Sequence, residues 1–508
     1  MSLAVCSLVP MPSRETSSPA LEEARKAIRS LEGWLLSSEV LALPIHHVER
    51  DQMVKGREVM RLLLQAHIHA RGCGDVGPAV SVRDGEEVVF LNHRRKADRD
   101  LRTVFGPIEV KRLAYGQRGE LAVHPIDESL QLGQRSYSYE TKRLYIRESV
   151  KGPFGEATTM VNELTGLQSS KRTVEDVVRE GAVDFESFYK QRIVSPPEET
   201  GDIVVVAVDC KGIPIIREAG EVPRVVAGAP IERQEGVKRM ATVAAVYTAK
   251  PRPRTPEEVV ESLFKDPSKP KVVKTKEERE ARPEQKRIWA SLDDGKDAVI
   301  RQAGAEAARR NPGRTKTEVA LTDGERALQQ RVRLHLPTMI LILDLLHVLE
   351  KLWKVANVFY GKEKAGAPAR EAWVYKQALR ILQGKVSHVV RGIRQSATKR
   401  KLKGDNAKKV GLAAAYLYRN RPYMRYNEYL AQGLPIASGV VEGACKTLIK
   451  DRMERSGMRW RVSTEAMLRM RAVYLSGDLD EYWDFHIAED QKRLYGGRNW
   501  APATVVTK

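Results

Sequence analysis

The segment Val204–Gly212 reads VVVAVDCKG, an unbroken apolar run that delivers one carboxylate, Asp209, towards a glycine. A continuous run of valine and alanine of this length is typical of a strand that is buried on both faces, as at the centre of an α/β sheet. A carboxylate at the end of such a strand is costly unless a cation or hydrogen bonds stabilise it. The sequence therefore predicts an α/β core, and the next question is which other carboxylates meet Asp209.

The composition indicates a large and strongly basic protein. The chain has 508 residues and a formal net charge of +20. Such an excess favours a polyanionic partner, and nucleic acid fits better than a membrane because no apolar run approaches the ~20 residues of a spanning helix. The four cysteines lack paired ligand spacing, which argues against a zinc ribbon or a disulfide framework. The N-terminus lacks the basic start of a secretory signal, so we expect a cytoplasmic protein with no membrane partner.

Shifts in composition divide the chain into predicted segments. They are a disordered tail (1–19), N-terminal helices (20–75), a small β module (76–130), a helix-turn-helix-like DNA-binding region (131–200), the first part of an α/β core (201–361, with an insertion at 250–314), a basic helical insertion (362–433), the helix of Glu442 with C-terminal helices (434–490), and a second tail (491–508).

The N-terminal half offers two candidate DNA-binding features, each with a plainer alternative. The β module is basic, and a surface that grips the DNA backbone and an ordinary solvated sheet face explain it equally well. At residues 165–167 a Thr-Gly-Leu turn separates two helical patterns, and Ser169 or Ser170 can cap the second helix near Arg172. This is the outline of a helix-turn-helix or of a simple αα-hairpin, and the basic composition favours DNA contact.

The core sequence repeats one plan, in which a strand ends near an acid. After the first strand, IPIIRE (213–218) and KRMATVAAVYT (238–248) predict two more strands, which together form a three-strand antiparallel meander. WASLDDGKDAVIRQAGAEAARRN (289–311) predicts a helix. Two strand–acid–helix units follow, with Asp323 and Asp344 at the strand ends, where sites of open α/β sheets assemble.

Two later stretches are basic. From Lys385 to Arg425 there are twelve Lys and Arg against one acid, with tyrosines at 416, 418 and 423 and a fourth, Tyr426, directly after the range, and this predicts a surface that tracks phosphates. In PIASGVVEGACKTLIKDRMERSGMRW (435–460), Ser438 can cap a helix whose buried stripe contains Val441, Cys445, Leu448 and Ile449. Glu442 stands in the first turn, where the helix dipole favours an ionised carboxylate that is available to a metal.

These motifs resemble the DDE transposases of bacterial insertion sequences, most closely the ISKra type, which is related to the Mutator-like group. The resemblance is carried by VAVDCKGIP (206–214), KRMATVAAVYT, ALTDGERAL (320–328), ILDLLHVLEKLWK (342–354) and the 435–460 stretch. It implies an α/β fold with an RNase H-like catalytic core, in which a mixed sheet combines a three-strand meander with βα units. A helical insertion and a mostly α N-terminal region that contains the small β module complete the expected fold.

The resemblance also assigns the site. The catalytic D, D and E of the family fall on Asp209, Asp323 and Glu442, which are expected to hold two Mg²⁺ ions, with Mn²⁺ as a substitute. The family's C/D-x-x-H motif falls on Asp344 and His347 as active-site support, although a capping Asp and a satisfied buried His explain these two residues equally well. Cys210 stands where the family usually has glycine.

The function implied is a transposase that binds terminal inverted repeats, cleaves DNA strands and joins them to target DNA. The expected partners are element-end DNA, target DNA and further copies of the chain in a homodimer or higher oligomer, in the nucleoid of a bacterial cytoplasm. The candidates for contact with DNA are Lys211, Lys399, Arg400, Lys401, Lys446, Lys450, Arg452, Arg455 and Arg459. The alternatives are an inactive transposase-derived DNA-binding regulator and a structure-specific nuclease of the same fold.

Overall fold

The computed structural model describes residues 19–84, 87–117, 122–216, 237–264, 282–455, 457–497 and 499–503. The chain forms two compact units, of which the first comprises Met1–Lys190 with Leu479–Lys508 and the second comprises Gln191–Asp478. Except for residue 19, the predicted disordered tail lies outside the described residues, and so do residues 217 and 218 of the predicted IPIIRE strand.

The first unit begins with helices, as the 3.6-residue spacing predicts. They are α1 (Pro19–Leu35), α2 (Ser38–Leu41) and α3 (Ile45–Ala70). Helix α1 packs along α3, because each helix turns an apolar stripe towards the other.

Short antiparallel strands follow, as the alternating pattern predicts. They are β1 (Ala79–Asp84), β2 (Glu87–Leu91), β3 (His93–Lys96), β4 (Arg99–Thr103), β5 (Gly106–Val110) and β6 (Leu113–Gly116). Strand β1 pairs with β2, β3 with β6, and β4 with β5. Helix α3 lies against β5, and Ile68 of the helix packs with Leu101, Ile108 and Val110 of the strands.

The helical part of the first unit contains α4 (Pro125–Ser129), α5 (Tyr139–Ser149), α6 (Phe154–Thr165), α7 (Lys171–Gly181) and α8 (Phe185–Gln191). Gly166, with φ of 72°, ends α6 in the left-handed conformation that glycine adopts without strain. Ser170 caps α7 by accepting the backbone N–H of Thr173 at 3.2 Å. The Ser169 hydroxyl bonds instead to Tyr137, so Ser170 is the cap and the turn has the predicted position.

A five-stranded mixed sheet is the centre of the second unit. Its strands are β7 (Ile203–Ile215), β8 (Val237–Ala249), β9 (Glu284–Ser291), β10 (Thr317–Thr322) and β11 (Ile340–Leu343), in the spatial order β11-β10-β7-β8-β9. Strands β7, β8 and β9 form an antiparallel meander, while β10 and β11 run parallel to β7. The run from Val204 to Val208 is buried on both faces, which confirms the prediction from its unbroken apolar sequence.

The meander is built from different segments than the sequence predicts. The expected first and second strands are one strand of 13 residues, because β8 is equally long and continues to pair with β7 as far as Ile215. Gly212 therefore lies opposite Met240 within the ladder and makes no turn. The third strand is β9, which includes Trp289–Ser291 from the stretch predicted as helix. The charged residues at its start conceal the strand pattern, and the helix begins only at Gly295.

Helices cover the sheet and extend from it. Those of the first part of the core are α9 (Pro256–Leu263), α10 (Gly295–Arg310), α11 (Arg326–His335) and α12 (Leu345–Tyr360), and those of the basic stretch are α13 (Ala367–Leu382), α14 (Val386–Lys399), α15 (Gly404–Asn420) and α16 (Tyr426–Ala431). Short 3₁₀ turns occur at Pro197–Glu199, Lys364–Gly366 and Arg421–Tyr423. Helix α10 packs on β7 and β8, and α15 packs back against α12.

The C-terminal part begins with α17 (Gly439–Ala444), which continues as a π-helical turn (Cys445–Lys450) and as α18 (Asp451–Met453). Helix α19 (Thr464–Ser476) then packs on β9. Helix α20 (Leu479–Tyr495) and strand β12 (Asn499–Ala503) return to the first unit, where β12 pairs antiparallel with β1. Part of the predicted C-terminal tail is therefore a strand of the β module. None of the described helices combines the length and apolar character that a membrane crossing requires.

Candidate active site

Three aspartates follow one row of residues across three neighbouring parallel strands. In this row Val208 of β7 pairs with Thr322 of β10, and Thr322 pairs with Leu343 of β11. In sequence, Asp209 directly follows Val208, Asp323 follows Thr322, and Asp344 follows Leu343. The register thus brings together the three acids that the sequence places near strand ends, although β7 itself continues six residues beyond Asp209.

Both carboxylate oxygens of Asp209 accept hydrogen bonds. Oδ1 accepts the backbone N–H of Cys210 at 2.7 Å, and Oδ2 accepts the thiol of Cys445 at a sulfur–oxygen distance of 3.4 Å. Burial, and then the charge of Asp209, raise the pKa of the Cys445 thiol, which keeps it protonated and able to donate. Burial also raises the pKa of Cys210 to about 11. Both cysteines around Asp209 are therefore neutral groups at neutral pH.

Asp323 lies in a half-buried turn directly after β10. Its Oδ1 accepts the backbone N–H of Glu325 at 2.8 Å. Burial is the largest cause that raises the pKa of this carboxyl, and the negative charge of Asp209 adds to it. The two aspartates are thus close enough to repel each other, and a cation between them would relieve this repulsion.

Helix α15 supports the Asp323 turn from the side. The Tyr416 hydroxyl donates to the carbonyl of Asp323 at 2.6 Å, and Arg419 donates to the carbonyl of Gly324 at 3.2 Å. Gly324 has φ of +85°, and a Cβ added there would lie 2.5 Å from the Tyr416 hydroxyl. Tyr416 therefore positions the backbone of the Asp323 turn. The sequence analysis missed this role, since nothing in the local pattern distinguishes Tyr416 from the other tyrosines of the basic stretch.

Asp344 is fully buried and connects the start of α12 to Ser438. Its Oδ1 accepts the N–H of Leu346 at 2.8 Å and so caps α12, while its Oδ2 accepts the hydroxyl of Ser438. The predicted side-chain cap at Ser438 is therefore wrong, because this hydroxyl donates to Asp344 and makes no cap bond to α17. Of the two explanations for Asp344, the structure shows the capping one.

His347 stands one helical turn after Asp344, at the edge of the aspartate row. Its Nδ1 lies 3.5 Å from Oδ2 of Asp344, and 30% of the side chain is exposed. The nearby carboxylate of Asp344 is the largest cause that raises the pKa of His347, and the charges of Asp323 and Asp209 raise it further. The charges of all three acids in the row therefore act on His347. Of the two motif residues, only His347 reaches the surface.

The third predicted metal ligand, Glu442, is exposed on α17. This helix packs on β7 and β8, and Cys445, one turn further on, contacts Asp209. The predicted buried stripe is confirmed, since Val441, Cys445, Leu448 and Ile449 are all buried. Across the described ranges, however, no group of three or more His, Cys, Asp or Glu side chains is placed to hold a metal ion. The strand register sets Asp209 beside Asp323, but within the described ranges the two do not form a metal-binding group with Glu442.

Of the basic residues that follow Glu442, most lie on the surface and one does not. Lys446, Lys450, Arg455 and Arg459 are exposed. Arg452 is 0% exposed and its guanidinium stacks 4.8 Å from the ring of Trp460. The prediction that Arg452 contacts DNA is therefore wrong, because Arg452 follows Cys445 at i+7 and Leu448 at i+4 and continues their buried stripe.

The other predicted DNA contacts lie in two places. Lys211 is half-buried on β7, two residues after Asp209. Lys399, Arg400 and Lys401 are exposed at the end of α14, although the Arg400 guanidinium also donates to the carbonyl of Phe359 at 2.8 Å and stacks on that ring.

The tyrosines of the basic stretch do not form one surface. Tyr426 is buried, and its hydroxyl donates to the carbonyl of Leu343. Tyr418 is 45% exposed and lies between the guanidinium groups of Arg394 and Arg421. Of these two tyrosines, only Tyr418 reaches the surface, where two guanidinium groups lie over its ring.

In the first unit, the two helices of the predicted helix-turn-helix are present. Helix α7 buries Val174, Val177 and Val178 and exposes Lys171, Arg172 and Arg179. Its first turn is therefore basic, while Arg179 near its end is paired with Asp176 at 3.4 Å.

Comparison with known proteins gives little. No family model matches the chain, and no curated protein matches it. Among solved structures, the chain is similar to the Drosophila P element transposase strand transfer complex, with a TM-score of 0.23 and 10% sequence identity over 69% of this chain and 81% of that chain. These values are too low to define a fold or a family. What is established is a mixed α/β protein with a five-stranded mixed sheet and many helices.

Proposed function

We propose that this protein is a DDE transposase of the bacterial insertion-sequence type, which binds the ends of its element and catalyses DNA strand cleavage and strand transfer. The observation that carries the proposal is that Asp209 and Asp323 each directly follow one residue of the register pair Val208 and Thr322 on adjacent parallel strands. The motifs around these residues are the ones that resemble the family. The sheet order, a three-strand meander extended by two parallel strands, supports an RNase H-like core.

The donor set of this site suits Mg²⁺, because carboxylate oxygens are its preferred protein ligands. Asp209 and Asp323 would hold the ion, and Glu442 is the proposed third ligand. A divalent cation supplies charge stabilisation for a phosphodiester that is being attacked and for the leaving oxygen. The raised pKa of Asp323 supports this assignment. Burial and a neighbouring charge destabilise the ionised form of this carboxyl, and a bound cation would stabilise it.

The side chains around the aspartate pair have distinct proposed roles. Lys446, Lys450, Arg455 and Arg459 are exposed cations on the segment after Glu442, and we assign them to the DNA backbone. His347 would hold a proton at the edge of the site, stabilised by Asp344. Binding of element ends is assigned to the first unit, with α7 as the candidate recognition helix. Joining two ends requires two copies of the site, so a homodimer or higher oligomer is part of the proposal.

A strand-transfer assay tests the proposal. The substrate is DNA from the two flanks of the gene, incubated with a target plasmid in Mg²⁺ or Mn²⁺. Asp209→Asn and Asp323→Asn should each lower the joined product at least about 100-fold, since the loss of a metal ligand removes several kcal/mol of transition-state stabilisation. Asp405→Asn, on the exposed start of α15, is the matched control and should retain activity.

A DNA-binding regulator without catalysis is a second candidate, because Glu442 is not grouped with the two aspartates and a thiol occupies Oδ2 of Asp209. In that case wild type and Asp209→Asn bind the flanking DNA equally and neither yields any product. Cleavage without joined product identifies a structure-specific nuclease instead. Either result rejects the transposase proposal.

A further inference from the structure

The helical hairpin at the start of the first unit has almost no core in its far half. Helix α1 packs on α3, and the second half of α3 reaches the β module, where Gln65 donates to the carbonyl of Glu109 at 2.7 Å and Ile68 packs with the strands. The buried residues near this contact are Ala20, Ala24, Val59, Leu62, Ala66 and Ile68. The structure describes all of residues 25–58, and among them only Val40 is buried. We call residues 25–58 the arm.

The sequence of α1 has the spacing of a helix that packs in a bundle. Leu21, Ala24, Ile28, Leu31 and Leu35 follow one another at alternating intervals of three and four residues, which places them on one face of the helix. The three members of this row that belong to the arm, Ile28, Leu31 and Leu35, are only half-buried. The hairpin alone therefore does not cover the row, and further helices are needed to bury it.

Large aliphatic side chains are also exposed where α1 turns into α3. Leu36, Leu41, Leu43 and Ile45 are all exposed, three of them by 70% or more, and Met53 on α3 is exposed as well. Single exposed apolar residues are normal, but a concentration of them marks an interaction surface. Since helices gain most of their stability from the packing of an apolar face, the arm is expected to have a partner.

The charge of the hairpin excludes two kinds of partner. Residues 19–70 contain seven acidic and seven basic residues, so their formal net charge is zero in a chain of +20. Residues 30–49, which we call the tip, contain three glutamates and no Lys or Arg. DNA and anionic membrane surfaces are bound through Lys and Arg, so neither of them suits the tip.

A second copy of the arm fits this charge pattern. The tip carries −3, whereas the rest of the arm, residues 25–29 and 50–58, has six Lys and Arg against two acids and carries +4. Two arms that lie side by side in opposite directions would place each tip beside the basic part of the other. Two chains of +20 otherwise repel each other, so a contact between copies is least costly at a neutral hairpin.

The length of the arm is sufficient for such a contact. A stable interface takes about 20–30 residues from each partner. The arm has 34 residues, counted from 25 to 58, in two helices and the turn between them. Two arms together supply four helices, which is the smallest common bundle with an enclosed core.

We propose that the arm packs against the arm of a second copy in the opposite direction, so that four helices enclose the row of Ile28, Leu31 and Leu35. The inference names the contact between copies in the oligomer that the proposed function requires, and in this respect it rests on that function. Its evidence lies within the first unit and involves no residue of the aspartate row.

The mass of the full-length, nuclease-treated chain without DNA tests the proposal. Light scattering of wild type should give twice the 57.1 kDa of one chain. In the double variant Leu41→Lys with Ile45→Lys, two exposed apolar side chains become positive charges that face the basic part of the other arm. The dissociation constant of the dimer should rise at least about 100-fold, because these charges lose water in the contact. Both side chains are exposed in the single chain, so its folding should not change.

A matched control and a second readout make the test specific. Leu334→Lys changes a leucine of α11 that is 71% exposed, against 70% for Leu41, and should leave the mass of the dimer unchanged. Hydrogen exchange of residues 25–58 should become at least about tenfold faster in the double variant, because the arm loses its cover. Exchange in the rest of the chain should stay the same, which shows that the variant is folded.

Four results would overturn the proposal. They are a monomeric wild type, a double variant that keeps the mass of the dimer, a Leu334→Lys variant that dissociates equally, and exchange of the arm that is the same in wild type and double variant. A monomeric wild type that still yields joined DNA rejects this contact and keeps the proposed catalysis. A dimer that the double variant dissociates, but that yields no joined DNA, does the reverse.

Discussion

The thiol of Cys445 donates a hydrogen bond to Oδ2 of Asp209, across 3.4 Å in space and 236 positions in sequence. The contact fastens the segment that follows Glu442 to the central strand that carries Asp209. Cys445 is also part of the buried stripe of this segment. The same side chain therefore packs in the hydrophobic core and orients the carboxylate of Asp209.

Removing the thiol should loosen this connection. Cys445→Ala deletes a buried sulfur and a donor, so we expect the free energy of unfolding to fall by about 1–2 kcal/mol. Cys445→Ser keeps a donor and should lose less. Urea denaturation in EDTA measures both variants, with Cys73→Ala, a half-buried cysteine of the first unit, as the control. Equal losses in Cys445→Ala and Cys445→Ser would show that the bond to Asp209 has no effect on stability.

The turn that carries Asp323 should tolerate no side chain at position 324. Gly324→Ala adds a Cβ at 2.5 Å from the Tyr416 hydroxyl and 2.7 Å from Cδ1 of Leu343, at a φ of +85°. The combined clash and strain should cost about 2–4 kcal/mol. Gly477→Ala is the control, because Gly477 has φ of +83° with open space around it and should cost only about 1–2 kcal/mol.

A double variant separates the two contributions at Gly324. If the hydroxyl is the main obstacle, Tyr416→Phe should recover part of the stability lost in Gly324→Ala. Additive losses in the double variant would instead assign the cost to Leu343 and to the backbone.

The stability that His347 contributes should depend on pH in one direction. Asp344 raises the pKa of His347 in the folded chain, so this contribution is complete below the unfolded pKa and is lost as the pH rises through the folded pKa. Asp344→Asn keeps an acceptor for the cap of α12 and removes the charge. Its deficit in unfolding free energy relative to wild type should therefore be larger at pH 5.5 than at pH 8.5.

The measurement is denaturation at the two pH values, with NMR of labelled histidines to show that His347 titrates at lower pH in the variant. Asp405→Asn serves as the control, because its ion-pair partner is Lys409 and no histidine, and the deficit should stay constant. A deficit of Asp344→Asn that is the same at both pH values contradicts the assignment.

Much of the core could be predicted from sequence, because its signals are local. The apolar run before Asp209 and the strand–acid–helix units at Asp323 and Asp344 are patterns of a few residues, and pairing of the parallel strands then aligns the acids. Strand β9 was missed because three charged residues at its start give no alternation, and its assignment depends on pairing with β8.

The hydrogen bonds that hold the aspartates in place could not be predicted in the same way. The bonds from Tyr416 to the Asp323 turn and from Ser438 to Asp344 each join residues more than 90 positions apart. Local spacing carries no information about these two bonds. The burial of Arg452 is a different case, because Arg452 continues the stripe of Val441, Cys445 and Leu448 at helical spacing, and the sequence pattern could have predicted it.

Arg452 and Lys450, two residues apart, should respond to substitution in opposite ways. Arg452→Ala removes a buried guanidinium from the ring of Trp460 and should lower the free energy of unfolding by about 3 kcal/mol, through lost packing. Lys450→Ala and Lys446→Ala change exposed side chains and should alter stability by no more than about 0.5 kcal/mol.

If these lysines contact phosphates, each substitution should weaken DNA binding at all sequences and reduce the slope of log affinity against log salt by about 1. Denaturation and salt-dependent fluorescence anisotropy measure the two effects. Unchanged salt slopes in both lysine variants would move the DNA-binding surface away from the segment that follows Glu442.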